Sequence, residues 1–227
     1  MLPTSIMFLS AMLIAAWTLQ LTPRLATALE PNPQPLLEFN GKDLAGFYPY
    51  LGKEKGADPD KVFSVISEGW LRISGQHPGY LSTDKSLKNY RLVAEYKWGS
   101  DDAKSDSGIF FNAAKQDKLW AKSLEFQMRL GATGDLCLIG GSQLTANGQR
   151  HTKGCIKRTG DGELENPKGK WNHVEIVSQG NKVQMWLNKK LIVDGTDPST
   201  SEGRVYFQCY EGELIYRKIA FYPAKSE

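Results

Sequence analysis

The sequence predicts an all-β protein, a sandwich of short antiparallel strands. Short β-branched and aromatic runs follow one another along the chain, separated by Gly, Asn, Asp and Pro. No segment carries an apolar stripe of helical period over a useful length. One stretch, Lys122-Ser123-Leu124-Glu125-Phe126-Gln127-Met128-Arg129, alternates strictly between polar and apolar. A period of two means a strand with one buried face, which assigns Leu124, Phe126 and Met128 to the core.

Taken in order, residues 1–28 read as an export signal. Ile6 to Trp17 is mostly apolar but short for a membrane span, and Ala26-Thr27-Ala28 has the small-x-small form that precedes cleavage. The expected location is therefore the periplasm or the extracellular space. The region before the apolar run has no positive side chain, so an uncleaved N-terminal anchor is the alternative. Residues 29–36 are a Pro-rich lead-in, and residues 37–223 are expected to form one domain.

Within it, Val62–Ile66 and Trp70–Ser74 flank a turn at Ser67-Glu68-Gly69. Tyr90–Trp98 is a longer strand. Gly108–Asn112, Asp135–Ile139, Trp171–Ser178, Lys182–Leu187, Leu191–Val193, Val205–Tyr210 and Leu214–Tyr222 complete the set, with Gly180-Asn181 as a second hairpin turn.

The charge is nearly balanced. The formal +3 of the full chain falls to +2 without residues 1–28, which contain Arg24 and no acid. Nucleic acid is thus not expected as a partner; His151, Lys153, Lys157 and Arg158 make a local basic cluster and no stripe. Of the three cysteines, Cys137 and Cys155 are close in sequence across a polar loop, so either they form a bridge or all three are buried thiols. There is no Cys-x-x-Cys, and His77, His151 and His173 are scattered. No metal site and no cofactor are predicted.

The polar face of the 122–129 strand holds Ser123, Glu125, Gln127 and Arg129, roughly 7 Å apart at two residues per step. An acid, an amide and a guanidinium in a row can hydrogen-bond a polyhydroxylated ligand, and Glu125 could also move a proton. The competing reading is a solvated face with a Glu125–Arg129 ion pair. Each aromatic ring, taken alone, is expected in the core.

The order of motifs resembles the 3-keto-disaccharide hydrolase family. The matching pieces are Phe39-Asn40-Gly41-Lys42-Asp43-Leu44-Ala45-Gly46-Phe47, Phe63-Ser64-Val65 to Gly69-Trp70-Leu71, Tyr90-Arg91-Leu92, Asp106-Ser107-Gly108-Ile109-Phe110-Phe111 and Leu124-Glu125-Phe126-Gln127-Met128. Further on come Gly169-Lys170-Trp171-Asn172, Leu187-Asn188, and Val205-Tyr206-Phe207-Gln208 to Tyr216-Arg217-Lys218-Ile219. The resemblance implies a concanavalin-like jelly roll with a groove on one sheet, and an enzyme acting on glycosides oxidised at C3. The carbonyl acidifies the C2 proton; its removal expels the C1 oxygen, and hydration of the enone completes a net hydrolysis.

Such a site needs a base, an acid and donors at the enolate oxygen. The candidates for catalysis are Glu125, Arg129 and, from a loop, His151. Those for substrate binding are Asp106, Ser107, Asn112, Gln127, Lys157 and Gln208. The chain departs from the family pattern in having Asp106 in place of Asn, Asn112 in place of Arg, Asn188-Lys189 in place of an Asn-Gly turn, and a long basic segment from Leu138 to Arg158. The expected partner is an oxidised glycoside. The alternatives are a non-catalytic carbohydrate-binding module, which would show aromatics and amides without convergent titratable groups, and a scaffold whose groove is filled by its own side chains.

Overall fold

Eighteen strands and no helix make up the residues described by the computed structural model, which are 33–52, 55–99, 105–129, 133–160 and 162–225. The strands are β1 (Leu37–Glu38), β2 (Phe47–Tyr50), β3 (Phe63–Val65), β4 (Leu71–Ile73), β5 (Gly79–Thr83), β6 (Leu87–Lys88), β7 (Tyr90–Trp98), β8 (Asp106–Ala113) and β9 (Ser123–Arg129). They continue as β10 (Leu136–Ile139), β11 (Leu144–Ala146), β12 (Gln149–His151), β13 (Gly154–Ile156), β14 (Asn172–Gln179), β15 (Lys182–Leu187), β16 (Lys190–Thr196), β17 (Glu202–Cys209) and β18 (Leu214–Pro223).

All pairings are antiparallel and divide into two sheets. One runs β12-β11-β16-β15-β14-β7-β18-β4-β3, with β1 also on β18; the other runs β13-β10-β9-β8-β17-β5-β2, with β6 on β17. Residues 33–225 fall within one compact unit. The export signal and the first half of the Pro-rich lead-in, residues 29–32, lie outside the described residues.

Alternation explains the sandwich. Leu124, Phe126 and Met128 are fully buried, as the pattern of β9 requires, and share one core with Leu92, Ala94, Val174, Ile176, Phe207 and Tyr216. A Tyr216–Met128 contact crosses between the sheets, with the hydroxyl 3.4 Å from the thioether sulfur. Burying such side chains stabilises by about 1.5–3 kcal/mol each, which is what allows the opposite face of β9 to hold polar groups out of water.

Cys137 and Cys155 are direct partners across β10 and β13 and are bridged by a disulfide. Cys209 is a buried thiol whose pKa is pushed up by burial.

Candidate functional site

The site lies on the face of the eight-stranded sheet turned away from the core. Register decides its membership. On β9, Glu125 pairs with Phe110, Gln127 with Gly108 and Arg129 with Asp106 of β8. On β10, Cys137 pairs with Glu125. On the far side of β8, β17 pairs through Phe207↔Ile109 and Tyr206↔Phe110, then continues to Gln208, whose partner on β5 is Tyr80. Asp106, Glu125, Gln127, Arg129 and Gln208 are thereby brought onto one face.

Glu125 is only 4% exposed. Its carboxyl group lies over Gly108, where an added Cβ would collide with Oε1. Burial, then the neighbouring negative charge of Asp106, push its pKa up to about 8, with Arg129 opposing. The Asp106 pKa is also raised, mainly by burial, and is drawn back by Arg129 and by its hydrogen bond from Gln127.

That bond runs from Gln127 Nε2 to Asp106 Oδ1 at 2.8 Å, and Arg129 Nη1 stands 4.0 Å from Asp106 Oδ2. Arg129 thus pairs with Asp106 and not, as the competing reading had it, with Glu125. Gln208 Oε1 is buried and has no hydrogen-bond partner among the described residues. Two carboxyl groups with raised pKa values, one much drier than the other, are suited to hold one proton and accept another.

Three expected residues, Ser107, Asn112 and His151, are not part of this cluster. Ser107 has the opposite parity on β8: it pairs with core residue Met128, and its hydroxyl donates to the Gln208 carbonyl at 2.7 Å. Asn112 is fully buried at an irregularity in the β8–β17 pairing, with φ of 51°. Its amide donates to Ser178 Oγ and the Thr200 carbonyl, and its oxygen accepts from Tyr90. Asn112 thus ties the two sheets together.

His151 ends the edge strand β12 of the other sheet, with Nε2 3.2 Å from the Ala146 carbonyl. Lys157, by contrast, follows β13 two residues beyond Cys155 and so shares the outer face with Glu125 and Gln127; its largely exposed ammonium pairs with Asp135 at 2.7 Å, and the second oxygen of that carboxylate accepts the Arg158 amide.

Sequence reasoning missed two kinds of residue. Gly108 is a glycine inside a strand, a known sign of close approach by another group. The second kind is aromatic: Tyr80, Phe110 and Tyr206 form a separate apolar cluster on this outer face, and Trp120 packs on Phe110. Two cavities of about 310 and 320 Å³ lie elsewhere. In the first, Glu165 already accepts bonds from Tyr96, Trp98 and Thr133, so it fastens a loop. Among the described residues no group of three or more His, Cys, Asp or Glu is placed to hold a metal ion.

Residues 35–221 match the family described as the 3-keto-alpha-glucoside-1,2-lyase-like domain. No curated protein sequence matches the chain. Among solved structures, a candidate glycosyl hydrolase from Parabacteroides distasonis ATCC 8503 aligns with a TM-score of 0.60 at 17% identity, over 82% of this chain and 92% of that one. The Bacillus licheniformis β-glucanase aligns at 0.56 and 10% identity, over 82% and 97%. The carbohydrate-binding module CBM66 from Bacillus subtilis aligns at 0.54 and 13%, over 78% and 95%. These neighbours share the jelly-roll fold, and at such identities they speak for fold alone.

Proposed function

The chain belongs to the 3-keto-alpha-glucoside-1,2-lyase-like domain family, and from that premise we propose that it cleaves glycosides oxidised at C3 by elimination across C1 and C2. The observation that carries this reading is the Glu125–Asp106 pair, buried to different degrees on one sheet face. A carbohydrate-binding module has no need of such a pair.

In this mechanism Asp106 is the base and Glu125 the acid. With a pKa of about 8, Glu125 keeps its proton at neutral pH. Asp106, beside Arg129 and Gln127, is the group that ionises first. Asp106 takes the C2 proton. The electrons of the C2–H bond pass into the C3 carbonyl to give an enolate, which collapses to form the C1=C2 double bond as the C1–O bond breaks, and the departing oxygen takes the Glu125 proton. The products are a conjugated enone and a free alcohol. Arg129 faces the charge that develops on the C3 oxygen, and the Gln127 and Gln208 amides hold hydroxyls. Water adding across the enone would return the 3-keto sugar and make the reaction a net hydrolysis. The proton gained by Asp106 then returns to Glu125.

The test is incubation with a 3-keto-glucoside, following the enone by absorbance and the alcohol by chromatography. Turnover is expected to fall as pH rises through about 8, where Glu125 loses its proton. Glu125→Gln and Asp106→Asn are each expected to lower it on the order of 10²–10⁴-fold. A wild-type protein that binds the glycoside and releases nothing would leave the binding-module reading.

A further inference from the structure

We propose that Trp120 and Tyr210 form the platform on which a pyranose ring of the substrate stacks above the carboxyl pair, and that the ionic cluster of Tyr48, Asp117 and Arg204 holds that platform in place. This rests on the reading of the site as one for oxidised glycosides.

Large apolar side chains are seldom left in water without a reason when they sit together beside polar groups. Trp120 is 46% exposed and Tyr210 is 39% exposed, two of the four exposed large hydrophobic residues among those described. They are not scattered. Their rings meet edge to face at 6.2 Å, and Trp120 also lies 6.0 Å from Phe110. Phe110 is the direct partner of Glu125 on β8. Tyr210 follows β17 two residues beyond Gln208. A ring that touches both must span the strand positions of Gly108 and Gln208, where the Glu125 carboxyl group lies.

The aromatic faces are thus set against an acid, an amide and the unpartnered Gln208 oxygen. A pyranose has axial C–H groups on its faces and hydroxyls on its rim. It is the class of ligand that presents an apolar face to the rings and hydrogen-bonding edges to the acids and amides at once.

Trp120 lies between β8 and β9 in a segment without regular structure of its own, so something must fix its position. Asp117 supplies this. It accepts the Tyr48 hydroxyl at 2.5 Å, pairs with Arg204 at 3.2 Å and lies 3.6 Å from Lys55. Arg204 also donates to the Tyr48 oxygen, and the Tyr206 hydroxyl donates to the Ala114 carbonyl at 2.8 Å. The segment is fastened at Ala114 and Asp117, and Ala121 is buried where it rejoins β9.

The experiment reads binding apart from catalysis. Methyl 3-keto-glucoside is titrated calorimetrically into Glu125→Gln protein, and into the same protein carrying Trp120→Ala, Trp120→Phe, Asp117→Asn, or Trp120→Ala with Asp117→Asn. Trp120→Ala is expected to raise Kd about tenfold and Trp120→Phe to recover most of that loss. Asp117→Asn is expected to raise Kd by itself yet add nothing on top of Trp120→Ala, because it acts through the ring.

An unchanged Kd in Trp120→Ala would overturn the platform, as would a parent protein that does not bind the sugar at all. A full additional loss from Asp117→Asn in the Trp120→Ala background would overturn the anchor. Wild-type protein that binds through Trp120 but never releases product would defeat the lyase reading and leave the platform standing.

Discussion

Replacing Glu125 with Gln should make the protein more stable as it makes it less active, and the gain should depend on pH in a defined way. The folded-state pKa is about 8 against an ordinary 4.5. Because the value is raised, folding favours the protonated acid. The stabilising contribution is complete below pH 4.5 and is lost as pH climbs through 8. That rise in pKa corresponds to about 5 kcal/mol at full ionisation and about 3 kcal/mol at pH 7. Gln has nearly the same shape and does not titrate, so it escapes that loss. For a domain of this size each kcal/mol moves Tm by about 2–4 °C. The Tm of Glu125→Gln minus that of wild type should be near zero at pH 4, should rise by on the order of 10 °C towards pH 8, and should level off above it. Calorimetric melts at four or five pH values suffice. Parallel curves from pH 4 to 9 would refute the reasoning, since they would mean that Glu125 ionises as easily in the folded chain as in the unfolded one.

Two further outcomes follow from the same face of the sheet. Gly108→Ala places a methyl group where the Glu125 carboxyl now lies; the chain should still fold, but displacing the acid by about 1 Å should lower kcat about a hundredfold, and wild-type kinetics would show that the carboxyl needs no such space. Reducing the Cys137–Cys155 bridge, which joins residues 18 apart, should cost about 3 kcal/mol and lower Tm by about 10 °C; identical melts with and without dithiothreitol would sink this.

What the sequence disclosed, and what it hid, divides along one physical line. Alternation is a local property, so β9 and its two faces were legible from eight residues. β7 and β15 were legible to the residue because their alternation is unbroken at both ends. β5 was not, since Gly79-Tyr80-Leu81-Ser82-Thr83 is buried throughout and shows no contrast between faces. The hairpin of β11 and β12 has strands of three residues, too short to show alternation, and only Asn147-Gly148, both with positive φ, marks its turn. Site membership is a matter of register between strands, which no local pattern encodes. Ser107 and Asn112 share a motif with Asp106, yet odd spacing turns Ser107 inward and the irregularity at Asn112 turns it into the core. Trp120 was invisible for the converse reason: composition makes an isolated Trp a core residue, and only its contacts show that it lies on the outer face.

The burial that perturbs Glu125 has an identifiable origin. A carboxylate on an ordinary solvated sheet face would titrate in the usual acidic range. Here the flanking rows are aromatic, with Phe110 directly opposite and Tyr206 and Tyr80 beyond it, the last two stacked at 4.1 Å. Side chains of that size on three neighbouring strands would close over the position and exclude a carboxyl group entirely, were it not for a residue without a side chain. Gly108 leaves that opening, large enough for the carboxyl and too small to hydrate it fully. Asp106, two residues along the same strand, stands at its rim and keeps a hydrogen bond and a distant guanidinium. One glycine between an acid and a phenylalanine on β8 thus separates two carboxyl groups into a dry, proton-holding one and a wetter, ionisable one. That separation requires Glu125, Gly108 and Asp106 together. Consequently Glu125→Asp, which retracts the carboxyl by one methylene from the opening, should not be a conservative change: it should bring the pH limb of turnover down towards the ordinary carboxylate range as well as lower the rate. A Glu125→Asp enzyme whose alkaline limb stays near pH 8 would show that the opening over Gly108 is not what raises the pKa.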